Sequence, residues 1–314
     1  NAGSGRGEFI MSDIDAKLCD YLLYAFFGID GSGKVEILDP SLDLEDNGGR
    51  GYIRRFNELK SVNRSLKTLA SIGGDKIGMK ESFSLVAASS SLRSTFASNA
   101  RRFCQKHGFD GVDIDWEFPE PVDRSNFIQF LAALSSELHD AGLILTVAVG
   151  ASEFQASKAY DIAGIARYID FINLMTYDYN GHRDGFTGHN APLFTGPADR
   201  TDHQQMLNID HSVKYWLHEG APSDKLILGV PAYGRTFRLA NTRDNDPRDK
   251  AIGPGGGVMM WTIDMDDFDG NFGCKYPLLN VINEVLKPGL LISLGNTLIR
   301  ILGSGGAGDS GSMY

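Results

Sequence analysis

The sequence predicts an α/β fold, arranged as a TIM (β/α)8-type barrel in which seven of the eight strands are recognisable. Short apolar runs rich in β-branched and aromatic residues alternate with segments of helical period, which is the pattern of a parallel sheet covered by helices. Polar and aromatic residues gather at the ends of many of these runs. Barrel enzymes place their chemistry at the C-terminal ends of the strands, so this second observation favours a closed barrel over an open sheet.

The predicted elements follow one another without a long linker. Apolar runs predict strands at 21–29 (YLLYAFFGI), 67–74 (KTLASIGG), 111–118 (GVDIDWEF), 143–150 (LILTVAVG), 171–177 (FINLMTY), 225–233 (KLILGVPAY) and 257–264 (GVMMWTID). Helical period predicts helices at 92–106, 125–141, 159–167 and 208–219. We expect residues 1–11 to be a linker or cloning scar, residues 12–288 to form the barrel and residues 289–314 to be a tail.

Composition and charge disfavour several classes of partner. With 314 residues, 42% of them hydrophobic, the chain is long enough to bury a sizeable core. Its net charge of -10 disfavours nucleic acid and anionic membranes, because both attract basic surfaces. No stretch of about 18 apolar residues is present to span a bilayer. We therefore expect a monomer with a neutral ligand, and neither nucleic acid nor a membrane as partner.

The stretch DGVDIDWEFPE, residues 110–120, places carboxylates in an otherwise apolar strand. Side chains alternate along a strand, so Asp113, Asp115 and Glu117 share one face, which the barrel points inward. Carboxylates crowded at low exposure cannot all be ionised, because mutual repulsion raises at least one pKa and keeps a proton available near neutral pH. Glu117 is last on the strand and nearest the mouth, which makes it the natural proton donor.

Two other interpretations of this stretch compete with a catalytic one. A solvated acidic edge strand is disfavoured because Asp is depleted in strands and Val112, Ile114 and Trp116 form a second, packed face. A site for Mg²⁺ or Ca²⁺ would also use carboxylates. The histidines are scattered without an HExxH pattern, and GIDGSG at 28–33 lacks the spacing of a phosphate-binding loop. We expect no metal and no cofactor.

The segment FDGVDIDWEFP resembles the DxxDxDxE signature of family 18 glycoside hydrolases, the chitinases and chitinase-like lectins. Further segments resemble the strand-end motifs of this family and occur in the family's order: YAFFGI, LKTLASIGG, NLMTYDY, GVPAYGRTF and GGVMMWTIDMDDF. The similarity runs from about residue 18 to residue 288. It implies that residues 12–288 form a family 18 glycosidase barrel.

The resemblance implies endo-acting hydrolysis of chitin, the β-1,4-linked polymer of N-acetylglucosamine, with retention of configuration. In this family the substrate's own N-acetyl carbonyl attacks the anomeric carbon, in place of a second enzyme carboxylate. By position, Glu117 protonates the glycosidic oxygen, Asp115 holds the acetamido N–H, and Asp113 shares a proton with Asp115. Tyr177 donates its hydroxyl to the acetamido oxygen.

The resemblance also implies the residues that contact sugar. Trp261 is expected to form the floor under the distorted sugar, with Phe26 and Tyr24 as the adjoining wall. The same pocket is expected to contain Met175, Asp178, Tyr233 and Arg235.

The chain departs from the family pattern in three ways. The family's first strand, roughly GYYTNW, has no counterpart, and only an Asn-, Asp-, Pro- and Gly-rich span stands where the family inserts an α+β subdomain. Asp75 and Arg183 stand where the family often has Trp. These departures predict weaker binding of long polymer and low turnover, and they motivate an alternative function as a non-hydrolytic chitin-binding or signalling protein.

The three cysteines fit the same departures. Cys19 and Cys274 match family cysteines whose usual disulfide partners lie in the two missing segments, and Cys104 is expected to be a buried thiol. The family is usually secreted, so the resemblance implies an extracellular parent protein, although the opening residues contain no signal peptide. The sequon at Asn63 agrees with secretion.

Overall fold

The computed structural model describes residues 10–254 and contains a mostly parallel seven-stranded sheet with helices packed against it. The order of strands in this sheet is β2-β1-β3-β4-β5-β6-β7, and a separate antiparallel pair is formed by β8 and β9. The strands are β1 (Tyr21–Ile29), β2 (Val35–Ile37), β3 (Lys67–Gly73), β4 (Gly111–Asp115), β5 (Ile144–Gly150), β6 (Phe171–Met175), β7 (Leu226–Leu228), β8 (Phe237–Leu239) and β9 (Ala251–Pro254).

Nine α-helices lie within the described residues. They are α1 (Pro40–Asp43), α2 (Tyr52–Glu58), α3 (Met79–Ala88), α4 (Ser90–His107), α5 (Arg124–His139), α6 (Glu153–Ala159), α7 (Ile162–Ile165), α8 (Asp202–Met206) and α9 (Ile209–His218). Short 3-10 helices occupy 11–13, 46–48, 59–61, 121–123 and 182–184. Helix α4 shows how local sequence sets these bounds, because the Ser89 hydroxyl caps its N-terminus and Gly108, at φ 81°, ends it.

The strand register separates two faces of the sheet. Strands β3 to β6 pair in parallel in regular register, and Ser71, Asp113 and Thr146 are paired neighbours in this register. Their side chains point to one face, while Val112, Ile114 and Trp116 alternate with them and are buried among the helices. The helix-facing side is therefore the hydrophobic core, and the opposite side is left for polar groups.

The α/β prediction is confirmed, with shorter strands than expected. Strand β4 ends at Asp115, three residues before the predicted end, and β7 covers only Leu226–Leu228 of the predicted 225–233. The helical segment predicted at 159–167 falls instead on α6 and α7. The predicted strand at 257–264 and the tail at 289–314 lie outside the described residues.

The predicted linker at the N-terminus extends too far. Residues 1–9 lie outside the described part of the chain, but Met11 is buried and belongs to the hydrophobic core. Residue 11 is therefore part of the folded unit, because its side chain packs with the apolar residues of the barrel region.

Candidate active site

Asp113 lies in the middle of the polar face and is almost completely buried. Its carboxylate accepts three hydrogen bonds from three other strands of the sheet, from Ser71 Oγ at 2.8 Å, Thr146 Oγ1 at 2.6 Å and Asn173 Nδ2 at 3.0 Å. Burial raises the pKa of Asp113, while the three donors oppose this by favouring the ionised form. These three hydrogen bonds therefore hold the Asp113 carboxylate in a fixed orientation beneath the strand ends.

Asp115 follows two residues later on the same face and has a different environment. It is 5% exposed, and its Oδ1 atom is buried without a hydrogen-bond partner. Burial first, and then the charges of Glu117 and Asp113, raise its pKa well above the usual range. A buried oxygen without a donor is costly in a protein on its own. It is also free to accept a hydrogen bond from a ligand.

Glu117 lies two residues beyond the end of β4 and is half-buried. Burial, followed by the charges of Asp75 and Asp178, raises the pKa of Glu117 to about 7. A carboxyl with this pKa keeps its proton to near neutral pH, which is what a general acid needs. Desolvation is the larger cause at Glu117, whereas the charges of neighbouring carboxylates on the strand act on the pKa of Asp115.

A second group of polar residues follows the ends of β6 and β7. Tyr177 lies with its ring centroid 6.0 Å from that of Tyr233, and burial together with the charge of Asp115 raises the pKa of the Tyr177 hydroxyl. The Asp178 carboxylate accepts from Arg235 Nε at 2.7 Å. The Arg235 guanidinium also lies over the Tyr233 ring, 5.4 Å from its centroid. Tyr177 thus remains a hydrogen-bond donor near the carboxylates.

Two glycines allow the end of β3 to approach β4 closely. A Cβ atom on Gly73, at φ 129°, would lie 1.9 Å from the backbone oxygen of Asp115. The N–H of Gly74 donates to that same oxygen at 2.9 Å, and the Phe26 ring packs directly against Gly74. This contact brings Phe26 to the edge that carries Asp115. Met175, at the end of β6, pairs with Gly150 on the same edge.

The structure does not bring Tyr24 to this site. Its hydroxyl is bonded to the Asp43 carboxylate, and its ring contacts Phe27, Phe56 and Phe109 on the helix-facing side. The prediction that Tyr24 forms a wall of the sugar pocket is therefore wrong. Ala25, the next residue, pairs with Ser71 of the polar face, so alternation turns Tyr24 towards the helices. The register shift between Ala25 and Phe27 comes after Tyr24 and places Phe26 apart from it.

Two further predictions concern Trp261 and the cysteines. Trp261, the expected floor of the pocket, lies outside the described residues, as does Cys274. Cys19 and Cys104 are both free. Burial raises the pKa of the Cys104 thiol to about 12, and its Sγ lies 3.4 Å from the backbone oxygen of Gly111, which fits a buried unreactive thiol.

Sequence reasoning missed the residues that hold the site together. Ser71, Thr146 and Asn173 are polar residues in largely apolar strands, on the face that carries Asp113. Thr146 and Asn173 are the single polar residues of β5 and β6, and that isolation is the signal that could have identified them. Asn190 was also missed, and it bonds both the Asp178 N–H and the Tyr233 backbone oxygen from a loop with no such pattern.

The structure adds two findings on other kinds of site. Within residues 10–254, no group of three or more His, Cys, Asp or Glu side chains is arranged to hold a metal ion. In the same part of the chain, no helix combines the length and apolar character needed to cross a membrane.

Comparison with known proteins agrees with this geometry. The family model for glycosyl hydrolases family 18 matches residues 1–253. The chain is 39% identical over 248 residues to "Probable chitinase 2" of Drosophila melanogaster, a match that covers 77% of this chain and 50% of that relative. It therefore spans half the length of that curated relative.

Solved structures give the same result. The Group IV chitinase of Ostrinia furnacalis superposes with a TM-score of 0.86 at 33% identity, covering 91% of this chain and 96% of that chain. It has also been solved in complex with allosamidin. Human YKL-39, described as a pseudo-chitinase with retained chitooligosaccharide binding properties, gives a TM-score of 0.73 at 32% identity, covering 82% of this chain and 70% of that chain. These relatives support a partial TIM barrel. The chain belongs to glycosyl hydrolases family 18.

Proposed function

We propose that this chain hydrolyses β-1,4-linked N-acetylglucosamine polymers as an endo-acting enzyme with retention of configuration. The observation that carries the proposal is the pairing of two unlike carboxyls. Glu117 keeps a proton to about pH 7, and Asp115 beside it presents a buried oxygen without a donor. The chitinases among the relatives supply the substrate class.

In the proposed reaction Glu117 Oε protonates the glycosidic oxygen as the C1–O bond breaks. The carbonyl oxygen of the substrate's own N-acetyl group forms the new bond to C1, which gives an oxazolinium ion. Asp115 Oδ1 accepts the acetamido N–H, and this hydrogen bond stabilises the oxazolinium ion. Water then attacks C1 while the Glu117 carboxylate takes its proton, and the bond from C1 to the carbonyl oxygen breaks, which restores the N-acetyl group and retains the configuration.

The remaining residues orient the substrate and the acids. Tyr177 donates its hydroxyl to the acetamido oxygen, and its raised pKa keeps that proton in place. Asp113 is a positioning residue, because three donors fix it behind Asp115. Phe26, Met175, Asp178, Tyr233 and Arg235 surround the sugar in this proposal, and Trp261 completes the pocket.

Hydrolysis of 4-methylumbelliferyl chitobioside and chitotrioside tests the proposal. The parent chain should release fluorophore, and the Glu117→Gln variant, with unchanged circular dichroism, should be slower by at least about 100-fold because general acid catalysis contributes that much. Equal rates in parent and variant would contradict the assignment of Glu117. Nuclear magnetic resonance can identify which anomer of the product forms first. Initial formation of the β-anomer would support retention.

A second function is favoured by a specific observation. Asp75 is exposed beside the candidate acid, where the resemblance leads us to expect an aromatic sugar platform, and YKL-39 is described as binding without being a chitinase. In this alternative the chain binds chitooligosaccharides without cleaving them. A folded parent chain that binds chitopentaose in calorimetry and releases no product would support it.

We also propose that the chain acts as a monomer on chitin or chitooligosaccharides and that its parent protein is extracellular, as the resemblance to secreted chitinases implies. Sedimentation velocity of the purified chain tests the first point. Fractionation of cells that express the parent protein tests the second.

A further inference from the structure

A small cavity lies between α6 and α8, outside the candidate active site. Its walls are formed by 152–154 and Ser157 on one side and by His203 and Met206 on the other. Its volume is about 270 Å³, slightly below the range of roughly 300–1,000 Å³ that is typical of pockets for drug-sized ligands. The size suits a single sugar ring better than a longer oligomer.

The cavity belongs to the same edge of the sheet as the candidate active site. Helix α6 follows β5 after only two residues. A Cβ atom on Gly150, the last residue of β5, would lie 3.1 Å from the Gln155 side chain and 3.2 Å from the Phe118 ring. Phe118 directly follows Glu117 in the chain. The start of α6 is therefore in contact with the segment that carries the candidate acid.

Phe154 is the apolar wall of the cavity and is 59% exposed. Its ring lies 5.4 Å from that of His203 in an edge-on arrangement, and Lys158 Nζ lies 3.5 Å from its centroid. An aromatic ring that remains so exposed contributes little to the core. In a concave site it offers a flat apolar surface for a ligand instead.

The polar lining of the cavity has unused hydrogen-bonding capacity. Within the described residues, the hydroxyls of Ser152 and Ser157 make no side-chain hydrogen bond, and Glu153 bonds His211 through Oε2 at 2.6 Å while Oε1 accepts none. Hydroxyl, carboxylate and imidazole groups around an aromatic ring match the two sides of a pyranose. The apolar C–H face of the sugar packs on the ring, and its hydroxyls bond the polar groups.

We propose that this cavity is a second, non-catalytic sugar site, which binds one N-acetylglucosamine unit of a chitin chain. The proposal rests on the proposed function for its ligand class. Its consequence is that the chain is held on the polymer at two points, so that adhesion to solid chitin depends on Phe154 while cleavage of a short soluble substrate does not.

The experiment measures partition of the full chain onto β-chitin and, in parallel, hydrolysis of 4-methylumbelliferyl chitobioside. Phe154→Ala removes the ring, and Ser157→Arg fills the cavity from the same wall, one helical turn further along α6. Val62→Ala is the matched control, because Val62 is also 59% exposed and lies in the segment before β3, at the N-terminal side of the sheet. Circular dichroism confirms that each variant is folded.

We expect Phe154→Ala and Ser157→Arg to lower the partition constant about tenfold, the scale of one lost stacking contact, with unchanged hydrolysis of the soluble substrate. Equal partition of parent, both variants and control would overturn the second site even if hydrolysis proceeds. Loss of partition in the two variants without any hydrolysis by the parent would retain the second site and contradict the proposed enzyme. A parent chain that does not partition onto chitin at all would also overturn the second site.

Discussion

Asn173 Nδ2 donates to Asp113 Oδ1 over 3.0 Å, from a strand two positions away in the sheet. We expect Asn173→Ala to lower the free energy of unfolding by about 1–3 kcal/mol, because it removes a donor from a buried carboxylate. Catalysis should fall as well, since Asp113 supports Asp115. Asn99→Ala is the control, because Asn99 Nδ2 donates to the neutral carbonyl of Gly33 at 2.7 Å. Urea unfolding and kcat/KM should separate the two variants, and equal activity in both would contradict a positioning role for Asn173.

The raised pKa of Glu117 lowers the free energy of unfolding by an amount that depends on pH. The folded chain holds this proton up to about pH 7, whereas the unfolded chain releases it near 4.5. Stability attributable to Glu117 is therefore highest below pH 4.5 and falls as pH rises towards 7, since the folded state binds the proton more tightly. Glu117→Gln should be more stable than the parent by about 2–3 kcal/mol at pH 8 and equally stable at pH 4. Urea unfolding at pH 4 and pH 8 measures the difference in free energy of unfolding between Glu117→Gln and the parent. The same difference at both pH values would contradict the prediction.

The charge of Asp75 contributes to the raised pKa of Glu117. Asp75→Asn should lower that pKa, so the decline of kcat/KM on the alkaline side should begin at a lower pH. An exposed charge contributes at most about 1 kcal/mol, so we expect up to about a fivefold lower kcat/KM at pH 8 and little change at pH 5. Asp140→Asn is the control, because Asp140 is exposed at the end of α5. Superimposable pH profiles for the parent and Asp75→Asn would exclude this contribution.

The placement of Tyr24 predicts a variant that separates stability from activity. Tyr24→Phe removes the hydroxyl that is bonded to the buried Asp43 carboxylate. Stability should fall by about 1–3 kcal/mol at pH 7. The values of kcat and KM should not change, because the ring lies among the helices. Tyr52→Phe is the control, since the Tyr52 hydroxyl makes no side-chain hydrogen bond within the described residues. A raised KM in Tyr24→Phe but not in Tyr52→Phe would indicate that Tyr24 contacts the sugar after all.

Exposed apolar residues in the part of β1 that β2 does not cover, and in the edge strand β7, predict modest thermal stability. Tyr21 and Leu23 of β1 are each 40% exposed, and Leu228 of β7 is 46% exposed. Within the described residues the sheet ends at β7, and a strand edge with apolar side chains invites association. We expect a thermal transition below about 60 °C and aggregation on heating. Calorimetry with light scattering checks both, and a reversible transition at a higher temperature would contradict this.

Alternation along strands explains how much of the site could be predicted from the sequence. It placed Asp113 and Asp115 on one face because β4 pairs regularly with both neighbours. The resemblance placed Tyr24 and Phe26 on one wall, and the register shift that separates them is not visible in YAFFGI, where every residue but one is apolar. A bulge depends on the neighbouring strand, and a pattern within one strand cannot reveal it.

The surroundings of Glu117 could not be predicted for a similar reason. Asp75 and Asp178 affect its pKa from loops after two other strands, and Asp178 adopts φ 59°, a left-handed conformation that the apolar strand pattern does not indicate. Asn190 reaches Asp178 from a loop 12 residues away. Loop residues are placed by tertiary contacts, whereas strand residues are placed by a period that the sequence displays.

The hydrogen bonds to Asp113 join four consecutive strands, because Ser71, Thr146 and Asn173 lie on β3, β5 and β6. A slip of any one strand by a single residue would turn its donor to the opposite face and leave the buried acid short of a partner. The same acid therefore selects the correct pairing of the central sheet during folding. We therefore expect relatives that have lost catalysis to retain Asp113. Its presence in a relative indicates the pairing of these strands and does not by itself indicate activity.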